Sequence, residues 1–290
     1  MGEPIPYYVD YLSAELIEQL ERESESVDAV DRLKVTAGLR EEFPDIETDE
    51  ALQFACEVYR RVRDELADVL EQRRRDREFI DETVTECVER NAGRDYLSAE
   101  YETVIGAEND AGRVVVGPTP ERREVSSVAS VDVPDSLAGE HVTLFGPPDT
   151  AKMSINAMNA LHRKPEDEPE IVTELVDAAD DPPRWGADTE DSKTPIARDL
   201  LAACRNLKGC FDGTLRYEDE ARGKDYELAG DGLAMPIKRI PGLALPDGNH
   251  LLDGEPLPLH LWDLALHLFH NREHPEALTF YVPKLENEQE

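Results

Sequence analysis

The stretch Val131-Asp-Val-Pro-Asp-Ser-Leu-Ala-Gly-Glu-His141-Val-Thr-Leu-Phe145-Gly-Pro-Pro-Asp-Thr-Ala-Lys152-Met153-Ser-Ile-Asn156-Ala-Met-Asn-Ala160 marks a change of texture in the chain. Its run 141–145 is short and mostly apolar, as a buried strand would be. Gly146, Pro147 and Pro148 then break it, and apolar residues recur at helical steps over 153–161. The same alternation returns downstream, with apolar runs at 232–237 and 278–282 and a helical pattern over 259–269. Strands alternating with helices predict βα units around a parallel sheet, hence an α/β fold.

Upstream the pattern differs. Over residues 11–88 apolar side chains such as Leu52, Ala55, Val58, Tyr59 and Val62 return every three or four positions, which predicts a mainly α-helical segment. Ser13 before Glu15, and Thr48 before Glu50, supply hydroxyl N-caps with acids in the first turn. The run 60–77 sets Arg73, Arg74, Arg75 and Arg77 against Asp64, Glu65, Asp68 and Glu71, the pattern of a long solvated helix laced by pairs four apart. Residues 91–130, broken by Gly106, Gly112, Gly117, Pro118 and Pro120, read as a linker with a short hairpin. The acidic stretch 165–183 reads as a solvated insertion, and no internal repeat is visible. The chain thus divides into an N-terminal helical domain with linker, 1–130, and an α/β domain, 131–290.

Composition limits the functions available. The 290 residues hold 65 acidic and 31 basic side chains, a net charge of −34. Such a field repels nucleic acid and anionic lipid, so neither is expected as a partner. Lysine is scarce, at positions 34, 152, 164, 193, 208, 224, 238 and 284. An acid-rich, Lys-poor surface suits a cytoplasm at molar salt, where the Debye length shrinks to about 3 Å, and a halophile's cytoplasmic protein is the expectation. The four cysteines, Cys56, Cys87, Cys204 and Cys210, have neither disulfide-framework nor zinc-finger spacing. No run of eighteen apolar residues and no signal-like N-terminus is present, so no membrane association is expected.

Two apparent motifs carry no chemistry on inspection. Gly146-Pro147-Pro148-Asp149 with Lys152 lacks the Gly-Lys-Ser/Thr ending of a phosphate loop. His260, His267, His270 and His274 approach metal-ligand spacing, but Leu261, Trp262, Leu264, Leu266, Leu268 and Phe269 around them make an amphipathic helix in which packing is the expected role.

Four collinear fragments do carry a signal. The segment 131–160 resembles the entry to the catalytic domain of malate synthases of the A-type branch, with its GlyPro turn and its LysMet-x-IleAsnAlaLeuAsn helix. Ala187-Asp-Thr-Glu-Asp-Ser192 is similar to that family's AlaAspPheGluAsp strand end, and Asn206 to Tyr217 to its AsnLeu…GlyThrIle-x-Tyr stretch. Lys238-Arg239 through Asp253-Gly-Glu-Pro, 261–271 and 278–286 resemble its next two strands and the helix between them. The N-terminal helices match the family's helical clasp in general character, and the acidity gives the resemblance a haloarchaeal cast.

The resemblance implies a clasp followed by the first strands of a TIM (β/α)8 barrel that condenses acetyl-CoA with glyoxylate to malate and CoA in the glyoxylate cycle, with Mg²⁺ as cofactor. It places the enolate-stabilising cation at Arg239, a role that a fixed, permanently charged guanidinium at a strand's C-terminal end can fill. Asp188, Glu190 and Asp191 become candidates for orienting that Arg or a metal-bound water, and Lys284 with Glu286 for facing the pocket. Lys152 and Asn156, one helical turn apart, are read as packing residues. Two features depart from the pattern: Pro241 stands where the family commonly has Arg, and Pro182-Pro-Arg-Trp-Gly186 replaces an apolar run.

The family's metal ligands and catalytic base correspond to positions after Glu290. The chain is therefore expected to be an N-terminal part, inactive alone and with no metal ligand of its own, completed by further chain or by a second polypeptide. Two other readings stand beside it: a non-catalytic, malate synthase-like binding or regulatory module, and an acidic helical scaffold built on 11–90.

Overall fold

A computed structural model describes residues 12–95, 106–115, 132, 143–160, 169–178, 183–286 and 290. The chain forms two compact units, one within 1–63 and 135–285, the other within 64–134 and 286–290.

The first unit is built on a four-stranded parallel sheet. Its strands β3 (Thr143–Gly146), β4 (Arg184–Asp188), β7 (Pro236–Arg239) and β10 (Phe280–Tyr281) lie in the order β10-β7-β4-β3. All three pairings are parallel, and the register sets Asp188 beside Arg239, and Arg239 beside Tyr281. Side chains alternate between the faces as the pleat requires. Trp185 and Ala187 point into a core with Met158 of α4 (Ala151–Met158) and with Leu207, Cys210 and Phe211 of α6 (Ala197–Phe211). Leu200, Leu201, Cys204, Leu207 and Phe211 recur at helical spacing and are all buried, so α6 turns one continuous stripe inward.

Gly186 and Asp188 face the opposite way. Phe145 lies across Gly186, where a Cβ would come within 2.4 Å of its ring, so only glycine permits the approach. The predicted α/β character is thus present in the sheet. The run 141–145, read as a strand, contributes β3 to this sheet in its described part, which makes β7 the third strand in chain order.

A second sheet adds two short strands to the mainly α-helical segment 11–88. After α1 (Ala14–Arg22), β1 (Ser24–Ser26) and β2 (Leu33–Thr36) form an antiparallel pair, and β2 continues onto β8 (Pro246–Leu252) and β9 (Glu255–Pro258). Leu33 and Val35 are buried while Lys34 and Thr36 are not, an alternation of period two that outweighs the weak helical pattern around it. The partners are remote in sequence, Leu33 opposite Leu252 and Val35 opposite His250. Asp253 and Gly254, with φ of 59° and 80°, make the tight β8–β9 turn that their residue types favour.

Behind this sheet lies a buried ionic triad. His250 is wholly buried, its Nδ1 is 2.5 Å from Asp247 Oδ2, and its Nε2 is 2.5 Å from Glu47 Oε1. Glu47 follows the short helix α2 (Leu39–Glu42), and its main-chain oxygen accepts from Arg40. The Trp262 ring, on α7 (Leu259–Asn271), packs against the imidazole at a tilt of 31°, with ring centroids 4.3 Å apart.

The long helix α3 (Asp49–Arg90) bears the expected local pairs, Arg61 with Glu57 and Arg74 with both Glu71 and Glu78. Within the second unit one member of that basic run departs from the solvated reading. Arg73 is 2% exposed and pairs with Glu290 at 2.5 Å and Glu286 at 3.5 Å. Of the linker 91–130, residues 106–115 hold an antiparallel bridge, Glu108 with Val114, around a turn capped by the Asn109 side chain; 96–105, 116–131 and 133–142 lie outside the described residues. Of the acidic insertion, α5 (Glu170–Asp177) is described, with Ile171 and Leu175 exposed, whereas 161–168 and 179–182 lie outside. The hairpin of β5 (Arg216–Asp219) and β6 (Lys224–Glu227) follows α6, and Lys152 of α4 binds its Asp219 at 2.8 Å.

No helix among the described residues is long and apolar enough to cross a membrane. With a net charge of −34, stability should rise with salt as screening removes self-repulsion. Raising KCl from 0.1 M to 2 M is expected to lift the melting temperature by roughly 5 °C or more. Scanning calorimetry checks this, and a flat or falling profile would contradict the halophilic reading.

Candidate functional site

Strand register brings the sequence-predicted residues together at the C-terminal ends of β4 and β7. Asp188 ends β4 and Arg239 ends β7, side by side in the sheet. The chain then turns through Thr189, Glu190 and Asp191. Asp188 organises this turn: its Oδ1 accepts from Glu190 N at 2.9 Å, and its main-chain oxygen from Ser192 Oγ at 2.6 Å. The turn therefore aims two further carboxylates back at Arg239.

The guanidinium is held from three sides. Nη1 lies 3.3 Å from Asp188 Oδ2, and Nη2 lies 2.7 Å from Asp191 Oδ2 and 2.9 Å from Glu190 Oε2. The Tyr281 ring, opposite Arg239 in the register, lies 5.4 Å from the guanidinium carbon. Lys284 completes the cluster from the segment after β10, its Nζ 2.5 Å from Glu190 Oε1 and 2.8 Å from Asp191 Oδ1. Its backbone has φ of 57°, a left-handed conformation that a long side chain seldom adopts, so the local structure holds this Lys in place against a steric cost. Arg239, Asp188, Glu190, Asp191 and Lys284 are thus one constellation. Glu286, also named from the sequence, belongs to the second unit and pairs there with Arg73 and Arg77.

Electrostatics separate the two acids of the turn. Burial raises the Glu190 pKa; the hydrogen bond from Lys284 opposes this and Asp191 adds to it. Asp191, with a little over half of its side chain exposed, is driven well below the usual carboxylate range by hydrogen bonding to Lys284, then to Glu190 and Arg239. Lys284 is raised by Asp191 first and then by Glu190. For Arg239, burial works against the charged form, and the contacts with Asp191, Asp188 and Glu190 outweigh it. The site therefore holds its cations charged. One donor is uncommitted: Arg239 Nε is buried and has no hydrogen-bond partner among the described residues. Such an arrangement can present a fixed N–H, backed by full positive charge, to an oxygen that gains negative charge.

The cluster does not suit the magnesium that the resemblance implies. Asp188, Glu190 and Asp191 already face two cations, and a divalent ion needs several uncommitted oxygens. No group of three potential ligands is assembled for a metal among the described residues. The histidines at near-ligand spacing turn to separate partners. His267 is buried between Phe211 and Phe280, and its Nε2–H donates to Ala277 O at 2.9 Å. Burial, with a smaller contribution from Lys238, pulls its pKa down to about 3, which keeps the ring neutral. His270 donates to Ile46 O at 2.7 Å, and His274 meets Asp212 at 3.0 Å.

Sequence reasoning missed three residues immediately behind the site. Lys238 Nζ and Asp263 Oδ2 lie 2.9 Å apart, each 1% exposed, and Thr189 Oγ1 lies 3.0 Å from the same carboxylate oxygen. The signal was present in the sequence, as one Lys inside the apolar run before Arg239 and one Asp inside the apolar helix 259–271. A charge within each of two buried elements implies that the charges meet.

The chain is similar in sequence to known malate synthases. The chain is 31% identical to the malate synthase of Oryza sativa subsp. japonica over 175 residues, which cover 58% of this chain and 27% of that protein. It is 26% identical over 274 residues to the glyoxysomal malate synthase of Cucumis sativus, covering 92% and 39%. To the malate synthase of Arabidopsis thaliana it is 27% identical over 272 residues, covering 91% and 39%. No family model matches the chain. It spans roughly a quarter to two fifths of the length of these relatives. The similarity to malate synthases thus extends over as much as 92% of the chain.

Proposed function

We propose that this chain carries the arginine-bearing part of a malate synthase-type site, which condenses acetyl-CoA with glyoxylate and hydrolyses the malyl thioester to malate and CoA. The observation behind this reading is Arg239, charged, clamped by three carboxylates at the C-terminal end of a parallel strand, with Nε–H uncommitted among the described residues. Removing a methyl proton from acetyl-CoA moves negative charge onto the thioester oxygen. A preorganised guanidinium in a site partly screened from water lowers the energy of that enolate. Asp188, Glu190 and Asp191 orient the guanidinium, and Lys284 balances the excess of carboxylates.

We read the parallel sheet as part of a (β/α)8 barrel wall. Phe145 and Tyr281, on the face opposite the helical core, are 54% and 45% exposed, whereas parallel sheets ordinarily have both faces covered. Further strands, in the same chain or in a second polypeptide, would cover that face and supply the catalytic base and metal ligands. The N-terminal helices fit the family's clasp, and the charge fits a haloarchaeal-like, A-type enzyme of the glyoxylate cycle working in a salt-rich cytoplasm.

The test is thiol release from acetyl-CoA in molar KCl with Mg²⁺, using the protein purified from its own cells in whatever assembly it forms. Release that depends on glyoxylate is expected. Release that ignores glyoxylate would indicate a plain thioesterase, and no release by the native assembly would overturn the reading. Residues 1–290 alone, with their carboxylates committed as described, are expected to release none.

A further inference from the structure

The buried ion pair behind the site is joined to it through one hydroxyl. Lys238 and Arg239 are neighbours on β7 and point to opposite faces, Arg239 toward the site and Lys238 toward α7, where Asp263 meets it at 2.9–3.0 Å. Thr189 sits between Asp188 and Glu190, two of the three acids that hold Arg239, and it also holds the Arg239 backbone. Its N–H donates to Arg239 O at 3.1 Å, and its Oγ1 lies 2.7 Å from the same oxygen. Oγ1 is also 3.0 Å from Asp263 Oδ2 and 3.4 Å from Lys238 Nζ.

A hydroxyl has one proton, so it can satisfy Arg239 O or Asp263 Oδ2 but not both. Lys238 decides between them. By donating to Asp263 Oδ1 at 3.0 Å and lying 2.9 Å from Oδ2, its ammonium neutralises that carboxylate and frees the Thr189 proton for the nearer acceptor, Arg239 O. Without the Lys, a carboxylate 1% exposed would draw the hydroxyl to itself.

We propose that Lys238, Asp263 and Thr189 form a positioning network that fixes the backbone of Arg239, and through it the direction of the guanidinium. Its importance for turnover rests on the reading of Arg239 as the enolate-stabilising residue, but its positional effect does not. Thr189→Val is the discriminating substitution. It keeps the volume, leaves the Lys238–Asp263 pair intact and retains the Thr189 N–H bond to Arg239, so the fold should persist.

The experiment follows hydrogen exchange of the Arg239 Nε–H by NMR in the full chain, with the signal identified by its loss in Arg239→Lys. Arg40 Nε–H, which donates to Glu47 O, serves as an internal control in the same unit. Thr189→Val is expected to speed Arg239 exchange about tenfold, the equivalent of one net hydrogen bond, while Thr189→Ser stays within about twofold of the wild type. Arg40 should not change. An Arg239 rate in Thr189→Val within about twofold of wild type, or an equal acceleration at Arg40, would overturn the proposal. In the assembly that releases thiol, Thr189→Val should also lower kcat by about tenfold with KM for glyoxylate little changed. Exchange needs no substrate, so absence of thiol release would sink the functional reading and leave the positional result standing.

Discussion

Arg239→Lys is expected to reduce kcat for glyoxylate-dependent thiol release by about 10²–10³, the loss seen when one preorganised donor to a developing oxyanion is removed. Charge is retained, so the loss must come from geometry. The guanidinium reaches Asp188 through Nη1 and both Glu190 and Asp191 through Nη2, and still keeps Nε–H for a substrate oxygen. A single ammonium on a flexible stem cannot span three carboxylates and keep a directed donor free. It would fall in with Glu190 and Asp191, where Lys284 already lies. The effect should appear in kcat more than in KM, because the interaction strengthens only as the enolate forms. Steady-state kinetics on the native assembly decide it. A variant that keeps more than about a tenth of wild-type kcat would remove Arg239 from the chemistry and leave it as a structural ion-pair partner.

Arg239 is legible in the sequence because two independent signals meet there, an Arg ending an apolar strand run and a set of collinear fragments on either side. The acids are legible for the same reason, although which of them touches Arg239 depends on register. Asp188 pairs beside Arg239 only because β4 and β7 are adjacent and parallel, a fact of topology set by contacts about fifty residues apart. Thr189 is hidden in a different way. Its role comes from one hydroxyl placed between a backbone oxygen and a carboxylate from α7, which no local pattern encodes. The strand β2 is hidden because Leu33-Lys-Val-Thr36 offers only two apolar residues at period two, inside a stretch rich in helix formers. What decides it is pairing with Leu252 and His250, more than two hundred residues away. Tertiary pairing overrides weak local preference when both apolar side chains can be buried by it.

Replacing His250 by Phe is expected to cost about 3–5 kcal/mol, the range for removing one partner from a buried ionic cluster. The imidazole is wholly buried, and so are Glu47 and Asp247 at 2.5 Å on either side of it, so Phe would leave two carboxylates facing each other with no cation between them. Burial by itself would lower the His250 pKa; the charges of Glu47 and Asp247, with their hydrogen bonds, overcome that and lift it to about 10. Against an unfolded value near 6.5, the folded state binds the proton more tightly, so this contribution is fully present below pH 6.5. It is lost progressively as pH rises toward 10, a span on the order of 4 kcal/mol. Wild-type stability should therefore fall on the alkaline side, and the His250→Phe variant should lack that slope. Urea titrations of both proteins between pH 6 and pH 10 measure the difference. A second substitution separates charge from packing. If uncompensated carboxylates cause the damage, Glu47→Gln in the His250→Phe background should recover part of the loss, because the charge it removes has lost its counterion. If instead the loss is one of packing against Trp262, whose ring lies 4.3 Å from the imidazole, Glu47→Gln should recover nothing and the ionic account of this sheet would fail.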